Sequence, residues 1–298
     1  MNPSKLLDFF DKRRQRGEPL VLVTVIETEG STYSKAGAHM LVDKDGIFRG
    51  MLSGGCLEGD LAVRAQVVIQ SGQPQTVTYN LAEDDELWGM GVGCDGLMRV
   101  YLQVLTENNG YEPFAEIAEV LRGDSAKTIR MPLVSESPGE LVCVVEPPPG
   151  VLVLGAGLDA EPVVQFAVQM GWRCTVVDHR PAYIEQGDFG GADAAKSVPA
   201  GDLSKTLDLA VFDMAIVMSH HLESDRTYLR QLAATDIGYI GLLGPASRRE
   251  RLLADLGEEA TRLDARLHGP AGLDIGGRGP APIALSIIAQ MQQHLASR

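Results

Sequence analysis

The residues best suited to chemistry in this chain are two cysteines wrapped in glycine. They lie in Ser53-Gly54-Gly55-Cys56-Leu57-Glu58-Gly59 and Gly91-Val92-Gly93-Cys94-Asp95-Gly96. Glycine has no side-chain bulk and tolerates positive φ, so backbone there can approach a ligand closely. A thiol in such a loop is placed for reach rather than packing, and the pair suggests a site for something that binds or reacts with sulfur. Cys56 stands where an apolar-periodic stretch, 57–70, predicts a helix, and a helix N-terminus favours the thiolate. The competing reading of Cys56 is a small residue filling a tight turn. Cys94 has no helix start, and Asp95 adds charge beside it. Cys143 and Cys174 fall inside apolar strand patterns and read as core. No two cysteines have the C-x-x-C spacing, which argues against a zinc site.

A second constellation lies in the C-terminal half. Gly155-Ala156-Gly157-Leu158-Asp159-Ala160 follows a strand pattern and opens a helical one, with Asp178 ending the next strand. This is the G-x-G-x-x-G/A arrangement, and Asp178 stands where an acid would meet a ribose. Asp159 and Glu161 put negative charge into that first turn and Pro162 removes an amide, both unfavourable to a pyrophosphate there. The pattern therefore predicts the fold more firmly than NAD(P). His220 and His221, with Ser219 before and Asp225 after, follow another strand, as His179 follows Asp178; strand carboxyl ends are where parallel sheets place ligand groups. One of the histidine pair reads as an acid, base or ligand, the other as solvent-facing. His39 lies on a strand and reads as packing. Gly272 to Pro280, with Arg278, is a candidate anion nest or a plain helix entry. Arg248, Arg249 and Arg251 read as a solvated or partner-facing set. No Ser-His-Asp order, metal-ligand cluster or Walker loop appears.

These residues need elements to hold them. The chain has 298 residues and is 45% apolar, enough for two domains with real cores. Glu146-Pro147-Pro148-Pro149-Gly150 is the strongest breaker and sets the expected boundary between 1–147 and 148–298. Before it, a helix is expected over 4–17 and 57–70, one more helix within 107–125, and strands over 20–26, 38–42, 47–52, 75–79, 97–105, 127–134 and 141–145. After it, strands over 151–154, 173–177, 214–218 and 239–243 alternate with helices over 160–170, 224–234, 247–256 and 283–296. The expected fold class is α/β: an N-terminal α+β domain, then a Rossmann-like, doubly wound parallel sheet.

The formal net charge of −14 opposes binding to nucleic acid or an anionic membrane, but leaves open a small anion in a local positive pocket. Four cysteines are too few for a disulfide scaffold. The first residues read as an amphipathic helix rather than a signal peptide, and no apolar run approaches the ~20 residues of a membrane span. These points read as a cytoplasmic protein with reduced thiols.

Taken in order, the motifs resemble the XdhC/CoxI family of accessory proteins for molybdenum hydroxylases. Gly30-Ser31-Thr32 through Gly37-Ala38-His39-Met40-Leu41-Val42 is similar to one family segment, Gly54-Gly55-Cys56-Leu57-Glu58-Gly59 to its Gly-Gly-Cys-Val/Leu-Glu signature, and Gly93-Cys94-Asp95-Gly96 to its Gly-Cys-Gly-Gly loop. Gly155-Ala156-Gly157, Ser219-His220-His221, Tyr239-Ile240-Gly241-Leu242-Leu243-Gly244 and Gly272-Leu273-Asp274-Ile275-Gly276 continue it. The resemblance implies a chaperone that binds molybdenum cofactor (Mo-molybdopterin), supports its sulfuration and delivers it to an apo hydroxylase such as xanthine dehydrogenase. A cysteine desulfurase is the implied sulfur donor and a homodimer the implied assembly. The implied cofactor-binding residues are Gly54, Gly55, Cys56, Glu58, Gly93, Cys94, Gly155, Gly157, His220 and Gly276, with Cys56 and Cys94 at the metal and no catalytic residue. Three departures stand out. Leu158-Asp159 replaces His-Val, Asp95 replaces a glycine, and 277–282 replaces a more acidic helix entry. The alternative is an NAD(P)-dependent oxidoreductase using Gly155 to Ala160.

Overall fold

Strand β1 (Leu20–Glu29) is apolar over its first half, so it must be covered on both faces. It lies at the centre of an antiparallel sheet ordered β3-β2-β1-β5-β4, with β2 at His39–Asp43, β3 at Phe48–Arg49, β4 at Gln75–Asn80 and β5 at Leu97–Leu105. Val21, Val23 and Val25 meet Leu61, Ala65 and Val68 of the helix Glu58–Ser71. Leu20 and Leu22 point the other way, toward Phe10 of the helix Pro3–Arg14 and Phe114 and Ile117 of the helix Phe114–Arg122. A hairpin of β6 (Lys127–Leu133) and β7 (Gly139–Val145) adds Ile129, Met131 and Val145 to that second cluster. The computed structural model describes residues 3–81, 96–134 and 139–297, and the chain divides into two compact units, Met1–Pro147 and Pro148–Arg298.

The second unit is a six-stranded parallel sheet, ordered β10-β9-β8-β11-β12-β13. Its strands are β8 (Gly150–Leu154), β9 (Arg173–Asp178), β10 (Ala194–Ser197), β11 (Met214–Val217), β12 (Tyr239–Leu242) and β13 (Leu267–His268). Side-chain alternation covers both faces. Val151 and Val153 pack with the helices Ala160–Gln169 and Pro280–Ala296, Leu152 and Leu154 with Leu222–Ala233 and Ala246–Leu256. The strand order reverses between β8 and β11, the place where open parallel sheets gather ligands at their carboxyl ends. The α/β class with a Rossmann-like second half is thus as the sequence leads one to expect.

Several boundaries differ for physical reasons. The strand expected over 47–52 is only Phe48–Arg49, because the Leu52 and Ser53 amides donate to the Glu58 carboxylate instead of to a neighbouring strand. Edge strands β10 and β13 go unread in the sequence; they are four and two residues long, and Ala194-Ala195-Lys196-Ser197 carries no apolar run. No helix among the described residues is long and apolar enough to cross a membrane.

His39 sits in β2 with Nδ1 3.2 Å from Thr24 Oγ1, and its Nε2 is buried without a partner among the described residues. Burial pushes the imidazole down to about 4 from an ordinary value of 6.5. Between these values the unfolded chain takes up a proton that the folded chain refuses. The stability this contributes is complete above pH 6.5 and is lost as the pH falls toward 4. An NMR titration from pH 7.5 to about 5 should therefore leave the His39 ring unprotonated; a midpoint near 6.5 would contradict the burial.

Candidate functional site

The loop before the helix Glu58–Ser71 is folded around one carboxylate. Glu58 Oε1 accepts from the Leu52 amide at 2.7 Å and the Ser53 amide at 2.8 Å. Its Oε2 accepts from Ser53 Oγ at 2.6 Å and the Gly55 amide at 2.9 Å, while Ser53 Oγ itself accepts from the Leu57 amide at 2.7 Å. Glu58 is only 2% exposed. Burial alone would raise its pKa, but the hydrogen bonds from Ser53 and Leu52 outweigh that and hold it below the ordinary carboxylate value. Such a tight wrap needs backbone that other residues rarely adopt: φ is 78° at Gly54 and 112° at Gly55. Nothing among the described residues lies within 4 Å of where a Gly55 Cβ would stand. Between Gly55 and the helix, Cys56 is a free, half-buried thiol whose neighbours include the core of the first unit.

The other described cysteines are placed differently. Cys174 is buried in β9, and burial, aided by the Asp193 carboxylate, pushes its thiol up to about 12. Cys143 is half-buried on the hairpin, and burial raises its pKa as well. Both are poor thiolates, in keeping with packing roles. Gly93 and Cys94 lie outside the described residues.

In the second unit the glycine-rich turn is also tied by a buried acid. Asp178, fully buried, accepts from the Ala156 amide at 2.8 Å and binds Arg180 through both oxygens, at 2.9 Å and 2.8 Å. Burial would raise its pKa; the Arg180 guanidinium and the Ala156 amide lower it overall. This corrects the reading of Asp178 as a ribose partner, since its oxygens are held by the protein itself. Gly155, at φ 125°, has the Met218 carbonyl carbon and oxygen 2.5 Å from where a Cβ would stand, so only glycine fits beneath β11. A Cβ on Gly157 would reach, among the described residues, only His220 Cδ2, at 3.8 Å.

His220 stands beside the glycine-rich turn. It is a non-glycine residue at φ 58°, a left-handed conformation costing about 1–2 kcal/mol. Its Nε2 lies 3.1 Å from Asp159 Oδ2, at the start of the helix Ala160–Gln169. The neighbouring His221 is structural: its Nδ1 accepts from the Ser224 amide at 3.3 Å and caps the helix Leu222–Ala233, which is why that helix begins before residue 224. Ser224 Oγ also lies 2.9 Å from His221 Nδ1 and 3.4 Å from His179 Nε2. Ser219 Oγ donates to the fully buried Asp225, whose other oxygen binds Arg248 at 2.6 Å. Arg248 is therefore part of the strand-end network, correcting its reading as one of a solvated or partner-facing set. Gly276 lies on the exposed loop entering the last helix, and no described hydrogen bond joins it to the Gly155 turn.

Gly54, Gly55, Cys56 and Glu58 thus form one loop, and Gly155, Gly157 and His220 one strand-end cluster. Glu58 faces the loop backbone and acts as its positioning residue. Ser53 and Arg180 escape a sequence reading; the only signal is a polar residue close in sequence to an acid that must be buried.

Fold and site together define a Rossmann-type unit preceded by an α+β unit that presents a thiol on a rigid glycine loop. Residues 13–80 match the XdhC and CoxI family and residues 151–291 the XdhC Rossmann domain. The chain is 31% identical to a probable xanthine dehydrogenase subunit of Bacillus subtilis (strain 168), over 93% of each chain. The crystal structure of a xanthine dehydrogenase from Bacillus halodurans shares the fold with a TM-score of 0.84, at 31% identity over 98% of this chain and 96% of that one. The molybdenum cofactor insertion chaperone PaoD of Escherichia coli (strain K12) is 23% identical, over 96% of this chain and 86% of its own. The chain belongs to the XdhC and CoxI family.

Glu58→Gln would place an amide donor among four donors. It should lower unfolding free energy by about 2–3 kcal/mol, measured in urea at pH 7. Glu58 has a lowered pKa, so its contribution is present above the ordinary value of 4.5 and fades as the pH falls through the folded value. The gap between wild type and variant should narrow in the same direction. A loss below about 0.5 kcal/mol at pH 7 would show that the loop does not depend on this carboxylate.

Proposed function

We propose that this chain binds molybdenum cofactor as cargo, protects it while it is sulfurated, and passes it to an apo molybdenum hydroxylase such as xanthine dehydrogenase. The observation that carries the reading is the Cys56 loop, in a family one of whose relatives is named a molybdenum cofactor insertion chaperone. The residues fit such a cargo. A free thiol stands beside backbone that is open at Gly55 and stiffened by Glu58, so a bulky metal–dithiolene group can approach without displacing side chains. Cys56 would meet the metal, with Cys94 as the second thiol; Gly54, Gly55 and Gly93 would give close backbone access. The hydroxylation chemistry at molybdenum belongs to the client. A cysteine desulfurase would supply the sulfur, and the working assembly would be a homodimer.

An NAD(P)-dependent oxidoreductase is the weaker reading. Its ribose acid, Asp178, is paired with Arg180, and the Asp159–His220 contact lies at the helix start that would receive the pyrophosphate. Gly155, Gly157, His220 and Gly276 are kept as proposed cofactor-binding residues of the second unit.

Protein purified with added cofactor should retain molybdenum, measured by mass spectrometry after gel filtration. Retention should weaken by about tenfold or more in Cys56→Ala, a cost of at least about 1.4 kcal/mol, and should also fall in Cys94→Ala. Retention unchanged in both variants would contradict the thiol role.

A further inference from the structure

Several cations of the first unit meet an acid. Arg13 pairs with Asp43 at 2.7 Å, Arg64 with Asp60 at 2.6 Å and Arg99 with Glu27 at 2.6 Å. Lys5, Lys35 and Arg49 have no carboxylate partner among the described residues, and all three line one cavity of about 710 Å³. They come from three separate elements: the helix Pro3–Arg14, the loop after β1, and β3. No carboxylate is among the described residues lining the cavity. Two of the cations are held in place by neutral contacts. Arg49 Nη1 donates to the Phe48 carbonyl at 2.7 Å and its guanidinium stands 5.6 Å from the Phe9 ring centre. Lys35 Nζ donates to Thr32 Oγ1 at 3.4 Å. In a chain of net charge −14, a cleft whose charged lining residues are all cations is the exception, and such a cleft concentrates anions.

The cavity also adjoins the thiol loop. Its wall includes Met51, two residues before Ser53, and Ser34 Oγ donates to the Met51 carbonyl at 3.4 Å. Tyr33 lines it as well and packs on the loop: a Cβ at Gly54 would stand 3.4 Å from the Tyr33 ring. Yet Tyr33 remains 63% exposed, an aromatic surface left open beside the charges. A cluster of unpaired cations, an exposed aromatic ring and a neighbouring thiol loop suit a planar heteroaromatic ligand with a phosphate tail. The glycine-rich turn of the second unit offers the reverse, with Asp159 at the helix start.

We infer that the Lys5–Lys35–Arg49 cavity is an anion site of the first unit, and that it holds the phosphate end of the cargo while Tyr33 stacks on its ring system. The anion site stands on the cavity itself; its assignment to the cargo rests on the function proposed above. Calorimetric titration of the full chain with inorganic pyrophosphate tests the first part. Wild type should bind saturably and more weakly as salt rises, and the double variant Lys35→Ala/Arg49→Ala should raise Kd by about tenfold or more. Arg251→Ala, at an exposed position of the second unit, should leave Kd unchanged, and thermal melts check that the variants fold. No saturable binding by wild type, or equal affinity in the double variant, overturns the proposal. The second part is read by molybdenum retention. Excess pyrophosphate should displace the cofactor from wild type, and the double variant should retain less. If pyrophosphate binds at this site but neither lowers retention, the cavity holds free phosphate and the assignment to cargo is overturned. If wild type retains no molybdenum while pyrophosphate binds as expected, the proposed function falls and the anion site remains.

Discussion

The Glu58 carboxylate is what the first unit's loop depends on. Four donors, three of them backbone amides of residues 52–55 and one the Ser53 hydroxyl, converge on its two oxygens, and the residue is shut away from water. A buried charge is tolerable only when it is fully hydrogen-bonded. Here the demand runs both ways: the carboxylate needs those amides, and the loop has no strand or helix to receive them. One consequence is the early end of β3. Another is that two successive glycines must take positive φ to bring the amides round, leaving backbone with no side chain in front of Cys56. The open backbone at Gly55 and the rigidity of the loop that carries the thiol have a single physical cause.

The second unit solves a similar problem with Asp178. That acid ends a parallel strand, takes the Ala156 amide of the glycine-rich turn, and is neutralised by Arg180, which also donates to the Ser219 carbonyl at 3.2 Å. Neighbouring it, Asp225 joins Ser219 to Arg248. The carboxyl ends of β8, β9 and β11 are thereby joined by hydrogen bonds that converge on the Asp178–Arg180 pair. In a dinucleotide-binding turn the same positions would be left for ribose and phosphate. The fold is shared with nucleotide-binding proteins, while the polar groups at its switch point are directed inward.

Much of this was legible in the sequence where the signal is local. The continuous apolar runs of β1 and β8 and the strand–helix alternation of the second half reflect burial on both faces, and each corresponds to observed elements. The Gly54-Gly55-Cys56 loop could be located from glycine alone. What escaped was set by tertiary partners. Whether Asp178 meets a ribose or Arg180 is decided by side-chain geometry two residues on. Arg248 looks solvated in a run of arginines, yet one member turns inward to a buried acid. Edge strands β10 and β13 owe their pairing to neighbours rather than to their own composition. The convergence of Lys5, Lys35 and Arg49 is likewise invisible along the chain, since three elements must fold before the charges meet.

In the proposed function the cofactor meets the protein at the Cys56 loop. The most direct test is site-resolved alkylation of the full chain with iodoacetamide, followed by peptide mass spectrometry with and without bound molybdenum cofactor. Alkylation of Cys56 should slow in proportion to the bound fraction while that of Cys143, half-buried on the hairpin, is unchanged. Equal rates at Cys56 in the free and loaded protein would contradict the proposal.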